Sequence, residues 1–315
     1  MVGLPFLALG ALVHSASQDV VEQSLRYDGE PSCAAALGSS PCAAGAAQDP
    51  LCWRREVAAG NEGAFANECE VTLTVEANMT APVYFYYELH EFFQNQRIYV
   101  KSQAARQLRG DDWPSLDSYA QYLGSECVDS GHDQCTTGEV PVDDSVPMRY
   151  YCNPCGLVAR SFFTDTFALE DASGAALAWS QDEVAWPRDR EEKFRNTSSG
   201  NRFNRRTALE NALVTDPDFI VWMRTAALPD FRKLYRRIDR DLVAGETLTL
   251  RVRNNYNVTS GGSKRVVLST MSWIGGQNEF LGGAYIGVGA LCVFLGVVFA
   301  TVEISRRARA RHKAA

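Results

Sequence analysis

The most apolar run in the chain extends from Phe280 to Val302 without a charged residue, flanked by Glu279 and Glu303. About 23 residues at about 1.5 Å each give about 34 Å of helix, enough to cross the ~30 Å hydrocarbon layer of a bilayer with slight tilt. A second apolar run, Val2 to Ala16, is interrupted only by His14 and Ser15, and at about 15 residues it reaches only about 22 Å. Three readings of it are open: a signal peptide, favoured by small Ala16 and Ser17 but lacking a preceding cation; a short anchor in a thinned bilayer; and the exit half of a longer membrane helix. The sequence "VVEQSL" is compatible with continuing that helix. Further on, Val71, Leu73 and Val75 alternate with Thr72, Thr74 and Glu76, the period of a half-buried strand. "APVYFYYEL" resumes the alternation after a turn at Asn78. "HEFFQNQRIYVKS" predicts a short helix or an aromatic-anchored loop, and Trp113 to Tyr122 another short helix behind Pro114 and Ser115. "SFFTDTFALED" and "LAWSQDEVAW" predict short strands about a turn at Ser173 and Gly174. Pro217 to Arg237 predicts a helix with Phe219, Trp222, Met223 and Ala226 on one face, resuming after Pro229. Last, "ETLTLRVRNNYNV" and "KRVVLSTMSWIG" predict an antiparallel strand pair leading into the membrane.

With 46% hydrophobic and 22% charged residues, the body between the apolar runs can bury a sizeable core. Arg306, Arg307, Arg309, Arg311 and Lys313 follow the second run at once, and such a cluster is retained in the cytosol, which puts the body on the luminal or extracellular side. Net charge is −7, from 31 Lys and Arg against 38 Asp and Glu. Five of those cations lie behind the span, so the body is more acidic still and has no basic footprint for nucleic acid. Of the 9 cysteines, all but Cys292 precede the span, an even set that suggests disulfides outside the cytosol. Sequons at Asn78, Asn196 and Asn257 fit the same side of the membrane. Cys152-Asn-Pro-Cys155 has thiol-exchange spacing, but Pro154 and the nearby cysteines make structural disulfides the better reading. Cys127 and Cys135 lack zinc-ligand spacing, and none of the 4 histidines stands in a metal or catalytic motif. Neither a catalytic site nor a cofactor is expected. Inside the span, Gly282, Gly289 and Gly296 recur at heptad spacing, and Gly283 with Gly287 forms a small-xxx-small pair that would let another helix approach closely.

Four stretches carry a family resemblance: "YFYYELHEFFQNQRIYVKS", "CNPCGLVARSFFTDTF", "DFIVWMRTAALPDFRKLYRRI" and "LSTMSWIGGQNEFLGGAYIGVG". They resemble the cell division control protein 50 family, also called ligand-effect modulator 3 or transmembrane protein 30, and the likeness runs over almost the whole chain. The resemblance implies a membrane protein with two transmembrane helices and a mainly β, antiparallel sandwich ectodomain with short helices. It favours the third reading of the N-terminal run, a first helix that is truncated. The expected layout is 1–17 for that partial helix, 18–279 for the ectodomain, 280–302 for the second helix and 303–315 for a basic cytosolic tail. Function by resemblance is that of a non-catalytic β subunit of a type IV P-type ATPase α subunit that translocates membrane phospholipid. The subunit would help the ATPase fold and leave the endoplasmic reticulum, for service there or in Golgi, endosomal or plasma membranes. The phosphorylated aspartate of the cycle belongs to the ATPase, and no D-K-T-G signature is present here. The resemblance also implies bridges Cys33 to Cys69, Cys42 to Cys52 and Cys127 to Cys155, leaving Cys135 for Cys152. The glycine face of the second helix is expected to pack on the ATPase, because glycine permits the close approach that association within a bilayer requires. The chain departs from the family in its Ala-rich insertions around the first cysteines, in Thr164 where a family sequon would have Asn, and in carrying no cytosolic tail ahead of the first helix. A self-standing receptor or adhesion ectodomain is the alternative from another class.

Overall fold

A computed structural model of the chain describes residues 3–39, 68–115, 118, 153–198, 208–258 and 261–314. The chain starts in helix α1, Gly3–Gln18, and passes through Asp19 to Val21 into strand β1, Glu22–Arg26. The segment "VVEQSL" is therefore mostly strand rather than further helix. Its backbone is claimed by pairing with a distant strand, which outweighs local periodicity. Helix α2, Pro31–Ser39, precedes strands β2, Glu68–Thr74, and β3, Val83–His90. In β2 the buried residues Cys69, Val71 and Leu73 alternate with exposed ones, as the sequence predicts. Short helices α3, Arg97–Lys101, α4, Ala105–Leu108, and α5, Leu157–Arg160, lead to strand β4, Thr166–Glu170. The helix expected over Trp113 to Tyr122 lies largely outside the described residues, as do Cys42, Cys52, Cys127, Cys135 and Cys152. After them come helices α6, Ala208–Val214, and α7, Pro217–Trp222, strands β5, Phe231–Ile238, β6, Thr247–Arg253, and β7, Ser263–Ser269, and the long helix α8, Glu279–Ala314.

All strand pairing is antiparallel, in a four-stranded sheet ordered β1-β7-β3-β5 and a three-stranded sheet ordered β2-β6-β4. The sheets pack through aromatic rings: Phe85 of β3 lies 5.4 Å from Phe167 of β4, and Phe167 meets Tyr235 of β5 edge-on at 5.2 Å. Such offset and edge contacts suit the ring quadrupoles.

Three sequence expectations are corrected here. Helix α7 stops at Trp222, and "FRKLYRRI" is strand β5 instead of a resumed helix. Phe231, Lys233, Tyr235 and Ile238 are buried there while the intervening residues are not, a period near two that a bulge opposite Phe85 and Tyr86 adjusts. "LAWSQDEVAW" forms one isolated bridge in place of a strand, Ser180 to Arg237, which covers part of the outer edge of β5. The two runs that precede the long helix do not pair with each other: β6 joins β2 and β4, and β7 joins β1 and β3. The connection between them crosses from one sheet to the other.

Helix α7 begins with Asp216, whose side chain accepts from the Asp218 N–H at 2.9 Å, and with Pro217 in the first turn, a strong start signal. At its far end the Lys233 amine donates to the carbonyls of Val221 and Arg224.

Candidate functional site

The two long apolar segments lie side by side and antiparallel. A side chain built on Gly3 would come within 2.7 Å of the Gly289 carbonyl oxygen, and one on Gly289 within 2.8 Å of the Leu7 nitrogen. One on Gly10 would come within 2.8 Å of the Ile286 nitrogen, and one on Gly282 within 2.9 Å of the His14 Cα. Glycines from both helices thus bring the backbones into contact, the arrangement that drives helix association where no hydrophobic effect operates. Phe6 and Tyr285 pack at 5.8 Å beside this seam. At the sheet end, the Asn278 N–H donates to Ser17 Oγ at 2.8 Å and Asn278 Oδ1 accepts from the Leu281 N–H at 3.0 Å, capping α8.

The heptad line of Gly282, Gly289 and Gly296 is consequently not one interface. Gly282 and Gly289 face α1 of the same chain, whereas Gly283, Gly287 and Gly296 meet nothing within 4 Å. The sequence carried a usable signal that went unread: Gly3 and Gly10 have the same spacing as Gly282 and Gly289. Helix α8 contains a stretch, Phe280–Arg309, long and apolar enough to span a bilayer, and its Leu291, Phe294 and Phe299 are exposed. It continues through the basic cluster to Ala314, with Arg307 paired to Glu303 at 2.7 Å.

At the end of β1 and β7 away from the helices, the sheets are tied by a polar knot. Lys264, 1% exposed, lies 2.6 Å from Asp165, which is 0% exposed. The Lys264 amine also donates to Asn254 Oδ1 and, at 2.5 Å, to the Tyr256 carbonyl. Asp165 accepts in addition from the Tyr27 hydroxyl at 2.6 Å and from the N–H groups of Asn255 and Tyr256 at 2.6 and 2.5 Å. Asn254 in turn donates to the Cys33 carbonyl at 2.7 Å. Burial, then Asp165, pushes the Tyr27 hydroxyl well above its ordinary pKa. The Lys264 amine spends its donors on three acceptors within the core and leaves none for a ligand. The knot joins β1, α2, the approach to β4 and the β6 to β7 crossover, so its role is architectural. Its only marker in the chain is the pair of polar residues Asn254 and Asn255 at the end of an alternating strand.

Cys33 is bonded to Cys69, fixing α2 to β2. Cys155 is disulfide-bonded and buried, with its partner outside the described residues. Gly156 follows at φ +97, where a side chain would collide with the Ser102 carbonyl. Cys292 is free and exposed on α8. Asn78, Asn196 and Asn257 are all exposed, and Asn78 keeps its place by accepting from the Ala244 N–H at 2.8 Å. Among the described residues no group of three or more His, Cys, Asp or Glu could hold a metal ion.

Residues 13–309 match the LEM3 (ligand-effect modulator 3) family, also described as the CDC50 family. The chain is 36% identical over 318 residues to ALA-interacting subunit 3 of Arabidopsis thaliana, covering 98% of this chain and 80% of that protein. It is 32% identical over 331 residues to cell cycle control protein 50A of Bos taurus, covering 96% of this chain and 81% of the relative. Against cell cycle control protein 50B of Homo sapiens the identity is 33% over 334 residues, covering 96% and 85%. Two packed antiparallel sheets, an apolar helix leaving the last strand and likeness along nearly the whole chain agree: this protein belongs to the LEM3/CDC50 family.

Proposed function

We propose that the chain is the non-catalytic β subunit of a type IV P-type ATPase that translocates phospholipid. The observation that carries this reading is membership of the family along residues 13–309, together with a relative whose name is that of an interacting subunit. On this reading α1 and α8 form a two-helix anchor, the sheets lie on the luminal or extracellular side, and the basic end of α8 is cytosolic. The subunit assists the folding of its ATPase and its exit from the endoplasmic reticulum, and the chemistry of transport stays with the ATPase. Gly283 and Gly287, which have open space beside them, supply a small-residue face for an ATPase helix, distinct from the face that α1 occupies. Lipid tails are as apolar as leucine, so such docking relies on close van der Waals approach.

Purification of the tagged full chain from membranes, followed by native mass spectrometry, tests the reading. A stoichiometric complex with a P-type ATPase is expected. A stable lone chain, recovered under conditions that preserve other membrane complexes, would overturn it in favour of a self-standing ectodomain.

A further inference from the structure

We infer that the turn at Trp273 and Ile274 is a membrane-interface anchor, seated in the zone between lipid headgroups and acyl chains. The inference rests on the reading of α8 as a membrane span. From Val266 to Asn278 no residue is charged, although Lys264 and Arg265 precede this stretch and Glu279 follows it. The segment is pinned at both ends to the exit of α1. The Thr270 N–H donates to the Val21 carbonyl and Thr270 Oγ1 accepts from the Val21 N–H, both at 2.9 Å. At the other end the Asn278 N–H holds Ser17 Oγ at 2.8 Å. Between the pins, Ser272 and Gly275 exchange two backbone hydrogen bonds of 2.9 Å each, closing a tight turn around Trp273 and Ile274, with Gly275 at φ +108. The chain is therefore built to present Trp273, and this side chain is 75% exposed, with Met271 at 45% beside it and Phe280 at 83% at the start of α8.

A lone exposed indole needs no partner, but Trp273 is exposed together with Met271 and Phe280 within ten residues, and grouped apolar exposure marks a contact surface. Trp suits the bilayer interface because its ring is apolar while its N–H remains hydrated. Between the pins, Met271 to Gln277 carry no charge, while the Arg232 guanidinium, paired with Glu22 at 2.6 Å, lies beside Gly276 and gives the turn a polar edge. A bilayer surface is also fixed in place here, since the seam between α1 and α8 ends at Ser17 and Asn278. The anchor would set how deep α8 sits and keep its first turn from sliding outward.

The test uses the full chain reconstituted in phosphatidylcholine vesicles, either plain or brominated near the top of the acyl chains. Flotation with vesicles first checks the membrane reading itself. Bromolipid is expected to quench tryptophan emission of the wild type, and Trp273→Phe is expected to lose most of that quenching while Trp186→Phe, a change at another exposed tryptophan, keeps it. Protein that floats but shows equal quenching in wild type and Trp273→Phe overturns the anchor and leaves the membrane reading intact. Protein that fails to float overturns both. In vesicles carrying the co-purified ATPase, Trp273 emission shielded from bromolipid and from aqueous acrylamide alike would assign the turn to a protein contact and overturn the lipid anchor.

Discussion

At Lys264 three donors meet three oxygen acceptors inside the core, so the pair with Asp165 is satisfied by protein groups. Removal of one partner leaves the other charge buried and uncompensated, which typically costs about 3–5 kcal/mol. Lys264→Met should destabilise the protein on that scale, and thermal unfolding of the detergent-solubilised chain measures it. Lys264→Met with Asp165→Leu should recover only part, because the Asn255 and Tyr256 N–H groups then lose their acceptor. Lys233 offers a contrast, since among the described residues it is buried against carbonyls and meets no carboxylate. Burial first, then nearby Arg224, lowers its pKa from 10.5 to about 8. The folded state thus releases this proton before the unfolded chain does. Below about pH 8 the penalty is fully present, and between about pH 8 and 10.5 stability should rise with pH, by at most about 3 kcal/mol. Melting curves at pH 8, 9 and 10 should show the rise in wild type and none in Lys233→Met. Above pH 10 the buried tyrosines, Tyr235 raised to about 12 by burial among them, act in the opposite sense.

At the level of elements the helix seam yields a paired prediction. Gly289→Leu would drive a side chain into the backbone at Leu7 and should part α1 from α8 within the chain. Gly287→Leu meets nothing in the chain, so a loss of ATPase co-purification there would report on the partner's helix alone. Cysteine cross-linking between α1 and α8 separates the two: it should fall for the first variant and persist for the second. How far the elements were legible follows from where their determinants lie. Strand β2 and the long α8 are written in local periodicity, and both could be read directly. Strand β5 could not, because "FRKLYRRI" has helix-forming residues and its strand state comes from pairing with β3, more than a hundred residues away in sequence. The same holds for "VVEQSL", whose strand partner β7 lies near the other end of the chain. For the candidate site, the glycine spacing could be seen in both helices, but which glycines face α1 depends on helix rotation, and the Lys264 knot depends on a crossover between sheets.

On the scale of the whole molecule, three exposed asparagines in sequons spread over the sheet domain provide a test of sidedness. If the body is luminal, glycosidase treatment should lower the mass of the chain, and Asn78→Gln, Asn196→Gln and Asn257→Gln should each remove one increment. An unshifted mass would place the body in the cytosol. Non-reducing peptide mapping should recover Cys33 linked to Cys69 and is expected to place Cys155 with Cys127. Closure of the Cys33 to Cys69 loop, with a sequence separation of 36, is worth about 2–4 kcal/mol in chains of this kind. The way the anchor meets the body has a mechanical consequence. Helix α1 enters β1 across only Asp19 to Val21, β7 leads toward α8, and β1 and β7 are direct neighbours from Glu22 opposite Ser269 to Arg26 opposite Arg265. Helices α1 and α8 therefore end on one adjoining pair of strands, with hydrogen bonds at Val21 and Ser17 bracing the joint. The assembly has the form of a shaft keyed into a crank. Any tilt that an ATPase imposes on the helix pair during its cycle must swing the whole four-stranded sheet with it, and the far tips of the strands, about 17 Å away, would travel furthest.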